Sequence, residues 1–187
     1  MTPLWFQALI GAGGAIVGAL VGGLLVIWAG TRQWRRDRAD ATAERSHAAA
    51  KSILASLGNY ELAVIAWQQD YKMDALLRAK DAFTLASLPE LPLISDYNVT
   101  SRIFAHTEFG LRLIYAASTT GFSGARPADR TIALAKAFQR HGGYLVICLV
   151  AHIQGNKLPP YQRPPLDDDS ALIDWTPPEA PPPKLPT

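Results

Sequence analysis

The chain has 187 residues, of which 49% are hydrophobic and 18% charged, with a formal net charge of +2. Residues 32–51 hold six Lys or Arg against three acids, and the rest of the chain is slightly negative, so the sequence lacks the broad basic face of a nucleic-acid-binding protein. The single cysteine, Cys148, excludes an intrachain disulfide framework and fits a reducing compartment.

The first thirty residues carry the strongest signal in the sequence. No charged side chain occurs from Leu4 to Ala29, and these 26 residues would form a helix of about 39 Å, against about 30 Å for the hydrocarbon core of a bilayer. The run is too long for the apolar core of a cleaved signal peptide, and Met1 to Pro3 carries no basic side chain. Residues 1–30 are therefore predicted to be a retained transmembrane anchor, with the lipid bilayer as a partner.

A basic segment, residues 31–45, follows the anchor and is predicted to be a juxtamembrane helix. Its arginines near the membrane are Arg32, Arg35, Arg36 and Arg38. Positive charge beside a span stays on the cytoplasmic side and attracts anionic lipid head groups. The sequence therefore predicts the inner (cytoplasmic) membrane, with the N-terminus outside and the C-terminal domain in the cytosol.

Small residues recur every fourth position along the predicted anchor and form two adjacent ridges. The ridge residues are Gly14, Gly18, Gly22, Ala15, Ala19 and Gly23. Small side chains at this spacing let two helices approach closely in lipid, where packing drives association. The pattern, a glycine zipper, predicts self-association through the transmembrane helix.

Residues 46–156 are predicted to form a cytosolic helical bundle of about four helices, which makes the fold all-α. The first helix begins in the proline-free stretch 39–71, where apolar side chains alternate at spacings of four and three. This seam starts at Ser46 and Ala50 and continues through Ile53, Leu57, Tyr60, Val64, Trp67 and Tyr71. Leu54, Leu62 and Ile65 widen the apolar face, which favours packing inside a bundle over a free coiled coil.

Three further helices complete the predicted bundle. The second runs from Asp74 to Leu88 and is ended by prolines, and the third is capped by Asp96 or Asn98. The buried face of the third helix is predicted to carry Val99, Ile103, Phe104, Leu111, Ile114 and Tyr115. After a turn over 119–125, the fourth helix is predicted from Ala128 to about Gln154. Its apolar run, residues 144–153, is expected in the bundle core, with shallow membrane insertion as the alternative.

Residues 157–187 are predicted to be a disordered Pro-rich tail, because ten of the 14 prolines lie in the last 29 residues. The PxxP spacing at 178–181 and 183–186 would suit a docking peptide, and a solvated tail without a partner is the alternative. An apolar tetrad, residues 172–175, is expected to pack back onto the bundle.

Candidate chemistry is confined to one helical stripe. His141, Cys148 and His152 stand at i, i+7 and i+11, where a thiol with neighbouring imidazoles could act as a nucleophile or bind a soft metal. Their apolar setting favours an inert cysteine instead. His106 and Glu108 fall on different helix faces, and no bundle metal motif, phosphate loop or nucleophile elbow occurs. No enzymatic activity, metal or cofactor is therefore predicted.

Together these features predict a single-pass membrane protein that acts as an oligomerising scaffold or interaction subunit through its cytosolic bundle. The predicted partners are the bilayer, a second copy of the chain and an unidentified protein, and not nucleic acid. One alternative is a membrane-perturbing or pore-forming effector, in which glycine ridges pack several spans around a leak. The other is a membrane-tethered enzyme that uses the Cys/His stripe.

Overall fold

A computed structural model describes residues 4–119 and 127–179, with side chains for 33–119 and 127–179. The regular elements within these ranges are helical, which confirms the predicted all-α fold. The chain divides into two compact units, residues 1–43 and 44–187, and each is described by itself.

Five α-helices and one short 3₁₀ turn make up the described chain. They are α1 (Leu4–Asp70), α2 (Met73–Ser87), the 3₁₀ turn (Leu91–Leu93), α3 (Tyr97–Ser118), α4 (Asp129–Ile153) and α5 (Asp169–Asp174). Within the second unit, α3 packs on α4 and α2, and α5 packs on α4. The bundle is thus built from the end of α1 and three further long helices, with α5 laid on the outside of α4.

The first unit contains the predicted anchor and the basic segment. Among the described residues, no helix combines the length and the apolar character needed to cross a membrane. The predicted anchor and its glycine ridges fall on residues 1–32, whose side chains are outside the described part, and so does Arg32. Arg35, Arg36 and Arg38 are exposed, and the Arg38 guanidinium lies 5.1 Å from the centre of the Trp34 ring.

The seam of α1 lies in the core of the second unit. Its residues from Ser46 to Trp67 are essentially buried. Tyr71 differs, because α1 ends at Asp70 and Tyr71 takes a left-handed backbone conformation (φ 56°) that turns the chain into α2. Leu62 and Ile65 are exposed, so the buried face of α1 is narrower than predicted.

The buried face of α3 was predicted wrongly in part. Asp96 caps the helix by accepting a hydrogen bond from the Asn98 amide (2.8 Å), as expected, and Val99 and Ile103 are buried. Phe104, Leu111 and Tyr115, however, point to solvent. Two sets of apolar side chains recur at helical spacing along α3. The set that faces the core lies on the same side of the helix as the polar residues Arg102 and His106. The side chains that fill the buried face are Val99, Arg102, Ile103, Ala105, His106, Phe109, Leu113 and Ala117.

The segment after α4 is ordered over much of the stretch predicted to be disordered. Leu166, Leu172 and Trp175 are buried, and Asp168 caps α5 by accepting from the amides of Ser170 and Ala171. The backbone carbonyl of Ile173 accepts a hydrogen bond from Arg140 of α4. The predicted return of residues 172–175 to the bundle is confirmed, because three apolar side chains within a stretch that has no proline, 166–175, pack onto it. The PxxP at 183–186 lies outside the described residues.

Candidate functional site

Three ionisable side chains from three helices meet inside the bundle. Glu61 comes from α1, His106 from α3 and His141 from α4, and both imidazoles are completely buried. The Nδ1 atoms of the two histidines are 3.0 Å apart, and the Glu61 Oε1 lies 3.6 Å from the His106 Nε2. We call Glu61, His106 and His141 the buried polar cluster.

The two imidazoles are aligned edge to edge. Their planes differ by 10° and their centres are 5.2 Å apart, so the Nδ1–Nδ1 hydrogen bond lies close to the plane of both rings. One Nδ1 must donate while the other accepts. The contact therefore cannot form when both histidines are protonated.

Burial sets the protonation states of the cluster. Burial raises the pKa of Glu61 from 4.5 to about 8. Burial, helped by the nearby Arg102 charge, lowers the pKa of His141 from 6.5 to about 4. Burial also lowers the pKa of His106 well below its usual value, and His141 adds to this effect. At neutral pH the cluster therefore consists of a protonated carboxyl and two neutral imidazoles, and Glu61 and His106 do not form an ion pair.

Two glycines inside helices make room for polar side chains of α1, one of them in the cluster. A Cβ on Gly142 of α4 would overlap the Glu61 carboxyl group, and a Cβ on Gly110 of α3 would overlap the hydroxyl of Tyr60. Glycine therefore allows α3 and α4 to approach the polar side chains of α1 closely. The His106 ring then stacks on Phe138, with ring centres 4.2 Å apart.

The cluster is not arranged to hold a metal ion. The described residues contain no group of three or more His, Cys, Asp or Glu side chains that could do so. The histidines turn their Nδ1 atoms toward each other, so their Nε2 atoms cannot converge on one ion at the 2.0–2.1 Å typical of zinc. Three cluster atoms, the Glu61 Oε1 and both Nε2 atoms, lack a hydrogen-bond partner among the described residues.

The predicted Cys/His stripe does not come together as one site. His141 pairs with His106, whereas the Nε2 of His152 lies 3.0 Å from the Ser46 hydroxyl. Cys148 is buried in a small cluster with Tyr144 and Trp175, and burial raises the pKa of its thiol. These positions give Cys148 the environment of a core residue rather than that of an activated thiolate.

A second candidate lies on the outside of α3. Tyr97, Phe104, Leu111 and Tyr115 are half to four-fifths exposed. At 100° per residue they fall within about 40° of one another, and they extend over about 27 Å of helix. We call these four residues the outer α3 face. An exposed apolar strip of this length marks an interaction site more often than isolated exposed residues do.

No protein-family model, curated protein or solved structure shows significant similarity to the chain. The candidate sites therefore rest on the geometry of this chain alone.

Sequence reasoning missed Glu61, Arg102 and the outer α3 face. Glu61 stands directly beside a seam residue, Tyr60, and nothing in the pattern marks it as buried. The glycine pair inside α4, Gly142 and Gly143, was the available signal, because glycine in a helix often marks a close approach.

Proposed function

We propose that this chain is a single-pass membrane protein that self-associates and acts as an interaction subunit, with the outer α3 face as the contact surface of its bundle. The observation that carries the proposal is the exposure of Tyr97, Phe104, Leu111 and Tyr115 along one line of a helix that is otherwise well packed. Support for the anchor comes from the apolar run at 4–29 and the arginines that follow it.

A second copy of the chain is the occupant that fits the face best. Tyr97, Phe104 and Leu111 are spaced by seven residues, which is the spacing at which two helices can pack along a seam. One acid, Glu108, borders the strip, and it is paired with Arg163 (3.5 Å). The described residues of this face therefore present no cluster of like charge that would repel a second copy of the chain. The small-residue ridges of the predicted anchor favour the same outcome, since they would bring copies together in the membrane.

The test compares two pairs of exposed residues on the full-length chain. Phe104→Ser with Leu111→Ser removes the middle of the outer α3 face, and Leu62→Ser with Leu85→Ser is the matched control on α1 and α2. All four side chains are at least half exposed, so neither pair should lower the unfolding midpoint by more than about 2 to 4 °C. Cross-linking in nanodiscs and sedimentation in a non-ionic detergent then report the oligomeric state.

The proposal expects oligomers for the wild type and the control, and weakened assembly for the α3 variant. A third variant, Gly14/Gly18/Gly22→Leu, separates the contribution of the predicted span. If only that variant loses the oligomer, the outer α3 face is not the contact surface. If the wild type is monomeric at every concentration, self-association itself is wrong.

A further inference from the structure

A cavity lies where α3 begins and where the chain leaves α4. Its volume is about 380 Å³, within the range of small-molecule sites. Among the residues that line it are Asp96, Asn98, Arg102, Asn156, Lys157 and Tyr161. It shares no residue with the buried polar cluster or the outer α3 face.

Arg102 lies in the wall of this cavity and is only 1% exposed. Its Nε donates to the Tyr144 hydroxyl (3.1 Å) and its Nη2 to the carbonyl of Pro159 (2.6 Å). Both acceptors are neutral. Among the described residues, the third nitrogen, Nη1, has no hydrogen-bond partner and no carboxylate pairs with the guanidinium. A buried arginine keeps its charge, and a buried charge without a counter-charge is strongly unfavourable.

The surroundings of Arg102 favour an anion. Lys157 adds a second positive charge at the rim, and Asn98 and Asn156 add amide donors. The cavity also contains the Asp96 carboxylate, whose Oδ1 accepts the Asn98 amide and already occupies the N-terminus of α3, so Arg102, Lys157 and the asparagine amides are the groups that attract an anion.

Tyr161 covers the guanidinium. Its ring centre lies 5.0 Å from the Arg102 Cζ, and the Tyr144 ring lies at 5.6 Å from the same atom. Tyr161 is 38% exposed, whereas Tyr144 is buried. Tyr161 is therefore the side that can move aside to admit a ligand.

We propose that this cavity binds a phosphate group, with the Arg102 guanidinium as its main ligand and Lys157 at the rim. The phosphate supplies both the missing acceptor for Nη1 and the missing counter-charge, since guanidinium groups bind phosphate oxygens in charge-assisted pairs. The phosphate could belong to a soluble molecule or to a lipid head group.

Isothermal titration calorimetry of the full-length chain with inorganic phosphate tests the site. The chain is held in non-ionic detergent, and sodium chloride at matched ionic strength serves as the blank. Phosphate should give a saturable signal. Lys157→Ala should weaken it about threefold, the effect of losing one rim charge. Lys136→Ala, an exposed lysine on α4 about 25 Å before the end of that helix, should leave it unchanged.

Arg102→Lys should weaken binding at least tenfold, because an ammonium group lacks the planar fork of the guanidinium. Circular dichroism checks that this variant is folded, and if it is not, the comparison of Lys157→Ala with Lys136→Ala decides. No saturable signal for the wild type, or equal losses for the two lysine variants, would overturn the proposal.

Nanodiscs distinguish the two sources of phosphate. One set contains phosphatidylcholine alone, and the other contains phosphatidylcholine and phosphatidylglycerol in equal parts. The effect of the anionic lipid is compared between the wild type and the Lys157→Ala and Arg102→Lys variants. If the lipid suppresses the phosphate signal of the wild type more strongly than the residual signals of the two variants, a lipid head group occupies the site. If the signal is the same in both sets, the ligand is a soluble phosphate. Both results support the phosphate site.

Discussion

Two polar sites inside the bundle, the buried polar cluster and the surroundings of Arg102, handle charge differently. Glu61, His106 and His141 can each become neutral, and burial shifts each pKa in the direction that favours the neutral form. Arg102 cannot become neutral, and it is surrounded by a hydroxyl, a carbonyl and two aromatic rings instead.

The two sites differ in whether a buried charge remains that needs a partner. In the cluster, the two neutral imidazoles meet at hydrogen-bond distance, and the three atoms without a partner among the described residues belong to groups that carry no net charge. At Arg102 the aromatic rings and neutral acceptors lower the cost of the buried cation, yet one nitrogen is left without an acceptor. The cluster thus holds helices together, whereas the arginine has the unmet requirement of a binding site.

The largest expected effect concerns the contact between the two histidines. His106→Leu and His141→Leu each leave the other Nδ1 buried without a partner, so each should lower the free energy of unfolding by about 2 to 3 kcal/mol. The double variant removes both polar atoms. It should cost about 1 to 2 kcal/mol less than the sum of the two single changes.

Urea unfolding of the four chains at pH 7 measures this coupling. The free energy of unfolding should fall with urea concentration at the same slope in all four chains. An unchanged slope shows that the same folded and unfolded states are being compared. Strict additivity of the two substitutions would show that the imidazoles do not interact in the folded protein.

The second effect is a dependence of stability on pH that comes from Glu61. Its pKa is raised from 4.5 to about 8 on folding, so its contribution is complete below pH 4.5 and is lost as the pH rises through 8. The histidines act at lower pH, because their lowered pKa values make the protein less stable as the pH falls below 6.5. From pH 6.5 to 8 the loss from Glu61, about 1.5 pH units or roughly 2 kcal/mol, outweighs the gain of under about 1 kcal/mol that comes as the unfolded histidines lose their protons.

Glu61→Gln isolates this contribution. Denaturant unfolding of the wild type should show a net loss between pH 6.5 and 8, and the amide variant should show no decline over the same range. Glu108→Gln is the matched control, because Glu108 is about half exposed and its substitution should leave the wild-type profile in place. A wild-type profile without a decline would mean that Glu61 is ionised in the folded chain.

The sequence allowed the helices to be placed because their signals are local. The proline pair after α2, the Asp96 cap and the seam of α1 depend on neighbouring residues only. The tail was harder, since its composition indicated disorder while three side chains, Leu166, Leu172 and Trp175, decided its packing. The composition of a segment is an average, so it does not reveal individual side chains that pack against the bundle.

The candidate sites depend on contacts between distant parts of the chain, and spacing does not predict those. His106 and His141 are 35 residues apart and lie on different helices. On α3, both apolar patterns have helical periodicity, so the sequence alone could not tell which one faces inward. The inward pattern includes Arg102 and His106, and only their partners on α4 and in the segment after it make their burial possible.

The smallest expected effect uses two adjacent glycines on α4 to test how tightly Glu61 is held. A Cβ on Gly143 would meet nothing within 4 Å, so Gly143→Ala should raise the free energy of unfolding by about 0.5 to 1 kcal/mol through helix propensity. Gly142→Ala gains the same propensity but forces the Glu61 carboxyl to move, and it should be destabilising by about 1 kcal/mol.

The pH profile shows where the carboxyl goes. If Gly142→Ala pushes Glu61 toward solvent, the decline in stability between pH 6.5 and 8 should shrink, because the carboxyl is then less desolvated in the folded state. In a Glu61→Ala background the obstacle is gone, so Gly142→Ala should become as favourable as Gly143→Ala. A penalty that persists in that background would mean that helix packing, and not the buried carboxyl, is what requires glycine at position 142.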